Sequence, residues 1–136
     1  IGTGSGILAI AALKLGAAKA EGVDIDPMCV RTAGENAALN GVQNDLTVLV
    51  GDLSEKATGV YDVICANIVA NAIIHLVPDV PALLAKHGTF LASGIIDTRK
   101  DEVIAAVQAA GLALREVKEK NGWVALVCGH VKERLL

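Results

Sequence analysis

Aromatic residues make up only 2% of this 136-residue chain, and Tyr61, Phe90 and Trp123 stand far apart in it. That leaves little material for stacking single-stranded bases. Basic residues do not dominate either: 12 Lys and Arg against 15 Asp and Glu give a formal net charge of −3, which argues against a broad nucleic-acid-binding face. The three cysteines, Cys29, Cys65 and Cys128, are odd in number and widely spaced. Neither a disulfide framework nor a tetrahedral metal site is indicated, no metal is expected, and the thiols are expected to be buried and inert. Gly, Asp or Lys interrupts the apolar runs before the roughly 18 residues that a membrane-crossing helix needs. No charged, apolar, small-residue leader stands at the front, so a cytoplasmic protein without a membrane partner is expected.

What is abundant is core material. With 53% hydrophobic and 20% charged residues, the chain reads as one globular domain over residues 1–136. It opens on a glycine loop, Ile1-Gly2-Thr3-Gly4-Ser5-Gly6, and reaches Gly22-Val23-Asp24-Ile25-Asp26-Pro27 after an apolar helical stretch. Glycines let the backbone approach a ligand where a side chain would collide, and a carboxylate about 20 residues further on, at the end of the next strand, can accept from a ribose diol. The loop lacks the third glycine of a hydride-transfer dinucleotide site, since Ile7 stands in its place, and G-x-x-x-x-G-K-[ST] is absent. A ligand with a ribose and no polyphosphate is favoured.

Apolar spacing predicts a helix from Ile7 to about Leu15, a strand over Ala20–Ile25, and a helix from Pro27 to about Leu39 closed by Asn40-Gly41. Strands follow at Leu46–Val50 and Tyr61–Ala66. A helix interrupted near Pro78 is expected between Val69 and Lys86, then a strand over Thr89–Ser93 and a helix over Asp97–Ala110. Leu112–Val117 and Trp123–Cys128, joined through Asn121-Gly122, read as a terminal antiparallel hairpin. This alternation predicts an α/β fold with an open, mostly parallel, Rossmann-like sheet and one antiparallel edge. Ligands of such sheets sit beyond the carboxyl ends of the strands, where Gly2–Gly6, Asp24, Asp52 and Asn67 fall.

The glycine loop with Gly22-Val23-Asp24-Ile25-Asp26-Pro27 resembles the first two motifs of class I S-adenosylmethionine-dependent methyltransferases. Leu8-Ala9-Ile10-Ala11-Ala12-Leu13-Lys14-Leu15-Gly16-Ala17, Asn36-Ala37, Asn40-Gly41 and Ala66-Asn67-Ile68-Val69-Ala70 are similar to one branch, the ribosomal protein L11 methyltransferases. That branch carries Asn-Ile-Leu-Ala where this chain has Val69 in the third place. It also lacks the Asn-Pro-Pro-Tyr lip that would clamp a planar base or amide, so a flexible amine is the better substrate. The resemblance implies that Gly2, Thr3 and Gly4 line the methionine end of the cofactor. Asp24 would hold the ribose, with Ile25 beside it, Asp52 would reach the adenine amino group, and Asn67 would meet the cofactor where the amine enters. It also implies a first strand, an acidic residue and a domain that recognises the ribosomal protein, all before Ile1. Without that strand, an unstable chain is expected, and whether it is active is left open.

No catalytic residue is assigned, because no side chain is singled out as a nucleophile or general base. The same cofactor motifs would serve a methyltransferase for another protein or a small amine, or a noncatalytic binding module. Among the remaining polar residues, Asp26 is expected to cap the second helix rather than bind ligand. His75 is expected on a helix, His87 and His130 on the surface, and Trp123 as an anchor of the hairpin. The charges at Lys118, Glu119, Lys120, Lys132, Glu133 and Arg134 mix both signs, as a solvated edge does.

Overall fold

A computed structural model describes residues 1–132, so Glu133 and Arg134 lie outside the described residues. The chain forms two compact units, Ile1–Ala57 and the part from Thr58 onward.

In the first unit, helix α1 (Ile7–Lys14) follows the glycine loop, strand β1 (Ala20–Asp24) leads to helix α2 (Pro27–Leu39), and strand β2 (Leu46–Val50) pairs with β1 in parallel. The ladder is in register from Ala20 opposite Leu46 to Asp24 opposite Val50. Helix α2 starts where the Asp26 carboxylate accepts the Met28 N–H at 2.9 Å, with Pro27 in the first turn, where its missing N–H costs nothing. It ends in a Schellman motif, with the Val42 N–H on the Ala37 carbonyl and the Gly41 N–H on the Ala38 carbonyl. Val23, Ala33, Ala37 and Ile10 form the small core.

The second unit holds strand β3 (Tyr61–Asn67), helix α3 (Ala70–Leu76), a 3₁₀ turn (Val77–Asp79), helix α4 (Val80–Leu83) and strand β4 (Leu84–Ile96). A second 3₁₀ turn (Asp97–Arg99), helix α5 (Lys100–Ala109) and strands β5 (Leu112–Lys120) and β6 (Trp123–His130) complete it. The sheet order is β3-β4-β6-β5, with β3 parallel to β4 and β6 antiparallel to both β4 and β5. Mixed α/β architecture with parallel pairs and an antiparallel closing hairpin is therefore present, as expected from the sequence. The helical stretch after Asn67 does break at the prolines: Pro78 and Pro81 each occupy the first turn of a new short helix. Strand β4 is longer than the expected Thr89–Ser93. It absorbs its extra residues in an irregularity opposite Tyr61–Val63 and in a bulge between Ala92 and Ile95. Phe90, Ile73, Leu76, Val103, Val107 and Leu126 are fully buried and bind the sheet to its helices.

Three expectations about packing are overturned, the burial of all three thiols among them. Trp123 is 58% exposed, because it is the first residue of β6 at the rim of the sheet rather than inside it. His130 is half-buried, with Nε2 2.9 Å from the Leu84 carbonyl oxygen, a partner for a ring that the sheet draws inward. Only Cys128 of the three free cysteines is fully buried; Cys29 and Cys65 are half-buried. Among the described residues, no helix is long and apolar enough to cross a membrane.

Candidate functional site

Five residues of glycine-rich chain are ordered by backbone and side-chain bonds inside the first unit. The Thr3 N–H donates to the Val23 carbonyl at 2.9 Å, which carries the β1 ladder into the loop, and the Gly6 N–H donates to the Thr3 carbonyl at 2.8 Å. The Gly4 N–H donates to Oδ2 of Asp24 at 3.0 Å, while Oδ1 accepts the Asp26 N–H at 3.0 Å. An ionised carboxylate has about four acceptor positions, so with these two N–H groups and the nearby Cys29 thiol Asp24 still has capacity for a further donor. Gly22 is the close-approach position: a Cβ there would meet Oγ1 of Thr3 at 2.7 Å.

Asp52 lies at the same end of this sheet. The Gly51 N–H donates to the Asp24 carbonyl at 2.9 Å just beyond the last ladder pair. The chain then turns, with the Asp52 N–H on Oε1 of Glu55 at 2.9 Å and the Glu55 N–H on the Asp52 carbonyl at 3.0 Å. Ile25 is 67% exposed immediately past Asp24. The structure thus gathers Gly2, Thr3, Gly4, Asp24, Ile25 and Asp52 around the carboxyl ends of β1 and β2.

Asn67 belongs to the second unit, exposed at the carboxyl end of β3 and in register with Ser93. Sequence reasoning missed its companion, Gly94. A Cβ on Gly94 would stand 2.5 Å from Oδ1 of Asn67, and Gly94 has a φ of +76°. The signal was present: Ser93-Gly94 interrupts an apolar strand, the usual mark of a bulge or a close approach. The rim of this sheet also exposes Ile96 and its ladder partner Trp123, with Val69 following Asn67. Arg99 fastens the nearby helices, donating through Nη2 at 2.6 Å to Oδ1 of Asn71 and at 2.6 Å to Oε2 of Glu102.

No thiol here is set up as a nucleophile. Partial burial, with the negative charges of Asp24 and Asp26, raises Cys29, burial raises Cys65, and burial pushes Cys128 up to about 11. Among the described residues no group of three or more His, Cys, Asp or Glu is placed to hold a metal ion.

A glycine loop tied to a strand-end carboxylate is shared by many nucleotide folds, and comparison with known proteins narrows it. Residues 1–130 match the family model described as ribosomal protein L11 methyltransferase (PrmA). The chain belongs to the ribosomal protein L11 methyltransferase family. A curated family protein from Pelotomaculum thermopropionicum is 46% identical over 93% of this chain and 41% of its own length. One from Desulfitobacterium hafniense is 47% identical over 93% of this chain and 40% of its own. The chain therefore spans about two fifths of the curated relatives it matches. The crystal structure of a ribosomal protein L11 methylase from Lactobacillus delbrueckii subsp. bulgaricus superposes with a TM-score of 0.92 at 34% identity, over 95% of this chain and 67% of that one. An RNA methyltransferase from Salinibacter ruber, solved with S-adenosyl-L-homocysteine, matches with a TM-score of 0.74 at 20% identity over 98% of this chain and 80% of that one. That likeness shows the fold, the Rossmann-like fold of class I methyltransferases, which this chain of the L11 methyltransferase family shares.

Proposed function

We propose that this chain is the S-adenosylmethionine-binding catalytic domain of an enzyme that methylates lysine and N-terminal amino groups of ribosomal protein L11 in the cytoplasm. The observation that carries the reading is the Asp24 carboxylate, which closes the glycine loop through Gly4 yet keeps acceptor capacity for a ribose hydroxyl. Family membership then favours a methyl donor over other ribose-bearing ligands.

The residues present fit such a cofactor. The loop offers glycine backbone at close range, Asp24 accepts from the ribose hydroxyls, Ile25 supplies apolar contact, and Asp52 accepts from the adenine amino group. Bound there, the cofactor supplies a methyl group already activated on a sulfonium, so the chain needs no nucleophilic side chain. Its task is to orient the amine for that methyl, a role for which the family resemblance singles out Asn67. The amine must be neutral to react. A lysine has a reference pKa of about 10.4 and an α-amine near 8, and burial favours the neutral form of either. Within the second unit, the exposed Ile96 and Trp123 form an apolar surface available to a protein substrate. Recognition of the rest of L11 is assigned to a separate N-terminal domain of the kind expected from the family resemblance.

The test is methyl transfer from S-adenosylmethionine to purified L11, read by mass spectrometry of its peptides. Methylated amino groups would support the proposal. Cofactor binding with no transfer to L11 would point to another protein or a small amine, and a folded chain that binds no cofactor would make it a noncatalytic module.

A further inference from the structure

We infer that Asn36, on α2, is a positioning residue for the cofactor loop; this rests on reading that loop as the S-adenosylmethionine site. The side-chain amide of Asn36 donates from Nδ2 to the Ser5 carbonyl at 2.9 Å, across 31 residues of sequence. That carbonyl shares a rigid peptide plane with the Gly6 N–H, which donates to the Thr3 carbonyl at 2.8 Å. Both ends of the plane are therefore held, and it cannot turn over without breaking two hydrogen bonds.

The loop needs such a restraint because Gly2, Gly4 and Gly6 all have positive φ, at 64°, 53° and 84°. Glycine reaches this region freely, so its own stereochemistry holds none of the three there. Asp24 restrains Gly4, but Asp24 is the side chain assigned to the ribose. Asn36 restrains the loop from the helix behind it. Contact between helix and loop is close: a Cβ on Gly6 would lie 3.0 Å from Cβ of Ala33, which is fully buried one turn before Asn36. Asn36 itself is half-buried, and its hydrogen bond to Ser5 lies at the exposed surface of the unit. Loss of the donor leaves the Ser5–Gly6 plane held at its Gly6 end alone and loosens the loop before ligand arrives, which lowers affinity through lost preorganisation.

The experiment compares wild type, Asn36→Ala, Asn36→Asp and Asp24→Ala. It measures amide hydrogen exchange at Gly6, calorimetric affinity for S-adenosylhomocysteine, and the thermal midpoint. Asn36→Asp keeps the size of the side chain and loses the donor at neutral pH, so it separates donation from packing even if Asn36→Ala folds poorly. Both Asn36 variants are expected to exchange faster at Gly6 and to bind about tenfold more weakly. Faster exchange with unchanged affinity would make Asn36 merely structural, and an Asn36→Asp protein identical to wild type would rule out donation; either overturns the proposal. If folded wild type and Asp24→Ala both bind nothing, the cofactor reading itself fails, and the positioning role falls with it.

Discussion

Gly94 leaves the space that the Asn67 side chain occupies: a Cβ at position 94 would sit 2.5 Å from Asn67 Oδ1 and 3.2 Å from the Ile68 carbonyl oxygen. Substituting Gly94→Ala therefore acts twice. The positive φ of 76° costs an L-residue about 1–2 kcal/mol, and the new methyl displaces Asn67. Misplacing a positioning group by about 1 Å can cost on the order of a hundredfold in rate. The expected result is a modest drop in thermal midpoint with a much larger drop in methyl transfer, and equal small losses in both would dissociate Gly94 from the reaction.

Asp24→Ala removes the acceptor assigned to the ribose and leaves the Gly4 N–H without its partner. A charge-assisted bond is worth roughly 1.5–3 kcal/mol, so affinity for S-adenosylhomocysteine should fall by about tenfold to a hundredfold. Calorimetry on the folded variant decides this, and an unchanged dissociation constant removes Asp24 from the site.

Trp123→Ala distinguishes a surface role from an anchoring one. A buried aromatic truncated to Ala typically costs about 3–5 kcal/mol, whereas an exposed position away from the core usually changes stability by less than about 0.5 kcal/mol. With Trp123 58% exposed, the melting curve should barely move, while KM for the protein substrate should rise. A large loss of stability would return Trp123 to the role of hairpin anchor.

Burial holds the Cys128 thiol protonated up to about pH 11, above its ordinary value of 9.0. Since the folded state keeps a proton that the unfolded state has released, the contribution of this residue to stability is whole below about pH 9 and is lost as pH rises towards about 11. Wild type should therefore lose more of its thermal midpoint across that window than Cys128→Val does. Parallel losses would show that the buried thiol titrates normally.

Local signals in the chain determined much of this protein. The periodicity of Ile7–Leu15 and Pro27–Leu39, the Asp26 cap and the Asn121-Gly122 turn depend on neighbours within a few residues, and all are found in place. The loop with Asp24 was legible because a strand, a turn and a helix fix the spacing between them. Tertiary structure alone decided the rest. The bulge at Ser93-Gly94, the extension of β4 from Leu84 to Ile96, the exposure of Trp123 and the reach of Asn36 to Ser5 all depend on which strands and helices become neighbours. Glycine and asparagine carry no burial pattern of their own, so Ser93-Gly94 could signal a bulge or close approach without naming Asn67 as the neighbour, and Asn36 could match the family without revealing its reach to Ser5. Their roles arise only when Gly94 is brought against Asn67, and Asn36 against Ser5, each pair distant in sequence.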